Sequence, residues 1–118
     1  MSIPIKYPFT KLGSETNMPM KSARMNIDEL VNIMATLRGS EGCPWDCEQT
    51  LETLKPFLIE EAYEVLETMG GEDVVAHCEE LGDLLFQIVF QSRIREEQAA
   101  FTLGDVIEGL SAKLKRRH

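Results

Sequence analysis

The sequence predicts an all-α domain built as a bundle of four main helices, and three observations carry that expectation. After residue 25, apolar residues recur at helical spacing rather than alternating as in strands. Residues that cap helices, Asn26, Thr50 and Thr102, stand just before these stretches. Gly39 and the pair Gly70-Gly71 stand just after two of them, where helices end. Short connections imply antiparallel neighbours.

Helix one is expected over residues 27–37. Asn26 is its N-cap, Glu29 takes the capping-box position, and Ile27, Leu30, Val31 and Met34 form the apolar stripe. The segment RGSEGCPWDCEQT follows, and Gly42 and Pro44 mark it as a loop. Helix two is expected over residues 51–69, capped by Thr50, with Leu54, Leu58, Ala62, Val65 and Met69 inward. Pro56 predicts a kink or a start in two pieces. Helix three is expected over residues 73–98, with Val74, Leu81, Leu84, Leu85, Ile88 and Val89 as core. Helix four is expected over residues 103–116, capped by Thr102 with Asp105 at the third position, and with Val106, Ile107, Leu110 and Leu114 inward. The chain ends in Lys113, Lys115, Arg116 and Arg117, cations placed where a helix dipole favours them. Residues 1–25 hold Pro4, Pro8, Gly13 and Pro19 without sustained periodicity and are expected to form a flexible N-terminal arm; residues 26–118 form the domain.

Bulk composition narrows the function classes. With 118 residues the chain is sized for one domain, and 43% hydrophobic residues predict a globular one. A net charge of −8 argues against nucleic acid or an anionic membrane as partner. No run of roughly 18 apolar residues is present, so no transmembrane helix is expected. The N-terminal residues lack an apolar h-region, and the three cysteines do not make a disulfide framework, so a cytoplasmic location is expected.

Two acidic signatures carry the chemistry. Glu60-Glu61-Ala62-Tyr63-Glu64 lies in helix two and Glu79-Glu80-Leu81-Gly82-Asp83 in helix three. Glu61 with Glu64, and Glu80 with Asp83, are each i and i+3, so each pair shares a helix face. Two antiparallel helices can aim all four carboxylates at one point, and such a group calls for a hard divalent cation, Mg²⁺ or alternatively Mn²⁺. At about 100° per residue, Glu61 and Glu64 fall at the edge of the apolar stripe, while Glu80 borders Leu84 with Asp83 and Gln87 further round. The competing reading is a solvated acidic face held by i,i+4 salt bridges. Only Lys55 in helix two, and Arg93 and Arg95 beyond Asp83, supply cations for it. Spacing alone leaves both readings open.

Other constellations are weaker. Cys43, Cys47, His77 and Cys78 lack convincing zinc spacing, and His77 with Glu80 gives only one reversed half of a di-iron motif. Trp45 reads as a core anchor first and a base-stacking platform second. No glycine-rich phosphate loop and no specific Ser/His/Asp pattern are present.

The run Cys43-Pro44-Trp45-Asp46, Gln49-Thr50, Glu60-Glu61-Ala62-Tyr63-Glu64, Glu79-Glu80-Leu81-Gly82-Asp83 and the closing Lys113-Leu114, Arg116-Arg117-His118 resembles the MazG nucleoside triphosphate pyrophosphohydrolases, in particular their first, CPWD-containing domain. The resemblance covers about residues 27–118. It implies an all-α bundle that dimerises and hydrolyses nucleoside triphosphates to monophosphate and pyrophosphate with Mg²⁺, cleansing nucleotide pools. By motif match, Glu61, Glu64, Glu80 and Asp83 are the metal ligands, and Glu60, Glu61 and Glu64 the candidate catalytic groups. Trp45, Lys113, Arg116 and Arg117 are candidate substrate contacts. The alternative is a catalytically weak nucleotide-binding, dimerisation or regulatory domain of the same fold.

Overall fold

The computed structural model describes residues 23–118, with side chains from residue 26 onward. The N-terminal arm therefore lies outside the described residues, except that the backbone of residues 23–25 is already helical. Five helices follow in order: α1 (Ala23–Leu37), α2 (Pro44–Glu48), α3 (Leu51–Met69), α4 (Val74–Glu97) and α5 (Leu103–Arg117). No strand occurs among the described residues, so the all-α class holds. Helices α1, α3, α4 and α5 are the four main helices expected, and α2 is an addition inside the predicted loop. No helix among them is long and apolar enough to cross a membrane.

The caps explain most boundaries. Thr50 accepts from the Thr53 backbone N–H at 3.2 Å, and its own N–H donates to Thr53 Oγ1 at 2.8 Å, a reciprocal box that starts α3. Asp73 accepts from Ala76 N–H at 3.0 Å and starts α4. Thr102 and Asp105 repeat the reciprocal arrangement at α5. Pro44 sits in the first turn of α2, where its missing N–H costs nothing. Asn26, by contrast, is not a cap: α1 begins three residues earlier and Asn26 lies inside it. Pro56 sits within α3, which is one helix rather than two pieces.

α3 and α4 are joined by a tight turn at Gly70 and Gly71 and pack against each other along their lengths. α1 packs on α4, and α5 on α4 as well. The core gathers Met34, Leu54, Val89, Phe90, Ile94 and Leu103, with Trp45, Phe57 and Phe86 against it. Trp45 meets Phe57 and Phe90 edge-on, with centroids 5.5 and 6.4 Å apart, and Phe86 meets Phe90 the same way at 5.4 Å.

The expected core of α4 and α5 needs correction. Val74, Leu81, Leu85 and Ile88 are exposed, and so are Val106, Ile107, Leu110 and Leu114; on α3, Met69 is exposed too. The inward stripe of α4 is Glu80, Asp83, Gln87, Phe90 and Ile94, spaced three and four residues apart. This helix carries apolar residues on more than one face; among the described residues it packs against α3, α1 and α5 while Val74, Leu81, Leu85 and Ile88 are left exposed. α5 buries Leu103 at its start and leaves the rest of its stripe open.

Arg38 fixes the α1–α3 connection. Its Nη1 donates to the Asp46 and Gln49 carbonyls at 2.8 and 2.9 Å, while Nε and Nη2 reach the two Glu97 oxygens at 2.9 and 2.6 Å. The guanidinium lies over the Phe90 ring, 5.6 Å from its centroid. Gly42 is required beside it, since a Cβ there would collide with the backbone carbonyls of Thr36 and Leu37.

Two predictions follow from these contacts. Hydrogen bonding to Arg38 holds the Glu97 carboxyl below its ordinary value of 4.5. A lowered folded value means the pair stabilises fully above that ordinary value and ceases to do so as pH falls through the lowered one. The stability gap between wild type and Glu97→Gln, read by urea unfolding, is therefore expected to shrink between about pH 6 and about pH 3; an equal gap at both refutes it. Ala99 follows α4 with φ of 58° while its N–H and that of Ala100 bond back to Glu96 and Arg95 at 2.9 Å each. Ala99→Gly is expected to stabilise the fold by about 0.5–1 kcal/mol, because glycine takes that conformation without strain.

Candidate metal centre

The seam between α3 and α4 is polar near the turn that joins them and apolar further away. From α3, Glu61 and Glu64 stand on the face toward α4; from α4, Glu80 and Asp83 stand on the face toward α3. One carboxylate oxygen from each lies within 4.8 Å of every other. Glu61 is 1% exposed, and the other three are half-buried. The i,i+3 spacing seen in the sequence thus brings all four acids to one point.

Like charges at this separation repel by on the order of several kcal/mol in a partly buried setting, so a positive charge among them is favourable. The donor set consists entirely of hard anionic oxygens from two rigid helices. It fits Mg²⁺ or Mn²⁺, which take oxygen ligands, and lacks the sulfur and imidazole that zinc sites use. The three cysteines are free thiols, and neither they nor His77 join the group.

The remaining expected residues fall in three places. Glu60, half-buried, is outside the group of four, rotated from Glu61 by one residue. Trp45 is half-buried in the aromatic cluster. Lys113, Arg116 and Arg117 are exposed on the end of α5. Three residues escaped sequence reasoning as contributors. Arg38 organises the CPWD segment, Asp46 within that segment is fully buried, and Gln87 is fully buried one turn beyond Asp83. Only Gln87 had a visible signal, its place beside Asp83 on the helix face.

A family model described as the MazG nucleotide pyrophosphohydrolase domain matches residues 49–118. The chain is 52% identical over 99 residues to a nucleoside triphosphate pyrophosphohydrolase/pyrophosphatase MazG of Thermotoga maritima, covering 84% of this chain and 39% of that protein. It is 48% identical over 93 residues to a nucleoside triphosphate pyrophosphohydrolase of Escherichia coli, covering 78% and 35%. A nucleoside triphosphate pyrophosphohydrolase of Mycobacterium tuberculosis is 45% identical over 76 residues, covering 63% and 23%. The chain thus spans about two fifths or less of the length of these relatives.

Removing one charge from the group relieves repulsion in the metal-free protein. Glu64→Gln is expected to raise the metal-free melting temperature by roughly 4–8 °C per kcal/mol relieved, and to reduce the further rise on adding Mg²⁺. A variant that melts lower and still responds fully to Mg²⁺ refutes the electrostatic account.

Proposed function

This chain belongs to the MazG nucleotide pyrophosphohydrolase family, and on that premise we propose that it hydrolyses nucleoside triphosphates to monophosphate and pyrophosphate in a Mg²⁺-dependent reaction. The observation that carries the proposal is the convergence of Glu61, Glu64, Glu80 and Asp83 within 4.8 Å. A carboxylate group of this density is costly to hold in a folded protein unless it is used.

Glu61, Glu64, Glu80 and Asp83 would hold the cation, Mg²⁺ or Mn²⁺, on the rigid α3–α4 pair. When bound, such an ion neutralises triphosphate charge and lowers the pKa of a coordinated water. Glu60 stands next to the group without being part of it, which suits it to accept the proton of the attacking water while its neighbours hold the ion. Glu61 and Glu64 remain the other candidates for that role. Lys113, Arg116 and Arg117 offer exposed positive charge to the polyphosphate, Arg as a planar fork and Lys as a point charge. Trp45, half-buried in the aromatic cluster, is the candidate contact for the base.

The open apolar faces support a second copy as partner. Ile59, Tyr63, Leu66 and Met69 on α3, and the exposed residues of α4 and α5 named above, are more apolar surface than a lone domain of this size comfortably leaves in water. A homodimer closing over these faces would cover the residues of α5 that are exposed among the described residues. Free thiols and a nucleotide substrate are in keeping with the cytoplasm.

The test is pyrophosphate release from a panel of canonical and modified NTPs and dNTPs with Mg²⁺. Multiple turnover is expected, with Glu61→Gln and Asp83→Asn each losing on the order of 100-fold or more in kcat/KM. No release from any nucleotide, with nucleotide and Mg²⁺ still raising the melting temperature, would replace the enzyme by a binding domain of the same fold.

A further inference from the structure

We infer that Gln87 is a positioning residue for the metal centre, its side-chain amide placed to orient the ligands of the group once a cation is bound. The inference rests on the metal reading above and adds a residue to it. Gln87 is 0% exposed, and neither its Nε2 nor its Oε1 has a hydrogen-bond partner among the described residues. A buried amide left in that state costs about 1–3 kcal/mol. An apolar side chain of the same size would fill the position without that cost, as Phe90 and Ile94 do further along the same stripe.

Position on the helix says where the amide is used. Gln87 follows Asp83 by four residues and Glu80 by seven, on the inward stripe of α4. Helical side chains lean toward the helix N-terminus, over the turn that precedes them. That lean carries the amide of Gln87 toward Asp83 and the group of four. Toward the other end of the stripe stand the rings of Phe86 and Phe90, which carry no hydrogen-bonding group, and the one polar atom of their neighbour Trp45, its indole N–H, can only donate. The polar chemistry in reach is therefore on the carboxylate side.

The residue type suits that task. A primary amide offers two donors and an acceptor while staying neutral. Lys or Arg at this point would compete with the cation, and Glu would add a fifth negative charge. Nε2–H can donate to the carboxylate oxygen not committed to the ion, and Oε1 can accept from a coordinated water. Mg²⁺ keeps several of its waters, so it presents such donors. Groups that orient the ligands of a metal in this way typically govern affinity by 10–100-fold, by roughly that ratio.

The experiment is calorimetric titration of Mg²⁺ into the full-length wild type and Gln87→Met, with melting curves of both without metal. Gln87→Met is expected to melt at or above the wild-type temperature metal-free, yet to bind Mg²⁺ about tenfold or more weakly and to need correspondingly more Mg²⁺ for half-maximal activity. A role confined to packing would leave Mg²⁺ affinity unchanged. If wild type binds Mg²⁺ and Gln87→Met binds it equally, the role of Gln87 is overturned while the metal reading stands. If wild type takes up no Mg²⁺, both fall together. Gln87→Leu gives the same readings should the methionine variant not fold.

Discussion

Repulsion among four carboxylates on the α3–α4 seam is the constraint around which this domain is built. Glu61, Glu64, Glu80 and Asp83 bring an oxygen each to within 4.8 Å of the rest, with Glu61 almost wholly buried. Packing cannot favour that arrangement, since each desolvated charge raises the free energy of the fold. The seam must be held together by something else. Beyond the polar stretch it becomes apolar, through Leu54 on α3 and Phe90 and Ile94 on α4, braced by the edge-on contacts of Trp45 and Phe57. The aromatic half of the seam fixes the two helices so that the acidic half has nowhere else to go.

A second fixed point sets the far end. Arg38 ties the carbonyls of Asp46 and Gln49 to the carboxylate of Glu97, so it links α1, the CPWD segment and the end of α4. Three of its donor atoms are used, and its side chain is 10% exposed, which makes this ion pair stronger than a typical surface pair. Through it Trp45 is held against Phe90. The motif around Trp45 thus contributes to the placement of the four carboxylates indirectly, by holding the aromatic brace on which the seam depends. The open faces of α4 and α5 belong to a different level of organisation. Their apolar residues do not serve the seam and are exposed.

The all-α class, the limits of α3 and α4 and the capping threonines were legible in the chain, because caps, breakers and helical periodicity are local. The pairing of the acids was legible for the same reason: i and i+3 share a face on any helix. The phase of α4 was not. Leu81, Leu85 and Ile88 read as core because they are apolar, yet Glu80, Asp83 and Gln87 take the inward face. Hydrophobicity ranks faces by transfer cost, and a helix with several apolar faces leaves the choice to its neighbours. The start of α1 was misplaced at Asn26 because a good capping residue is only a preference, which helix-compatible residues before it override.

What the sequence determined by itself was therefore a helical domain with two acid pairs, each confined to one face of its own helix. Tertiary structure alone decided that those faces meet, that Gln87 and Asp46 are buried and that Arg38 anchors the connection. The physical reason is range. Backbone geometry fixes relations across three or four residues, whereas burial and charge convergence depend on which helix faces pack together, and that is a property of the whole chain.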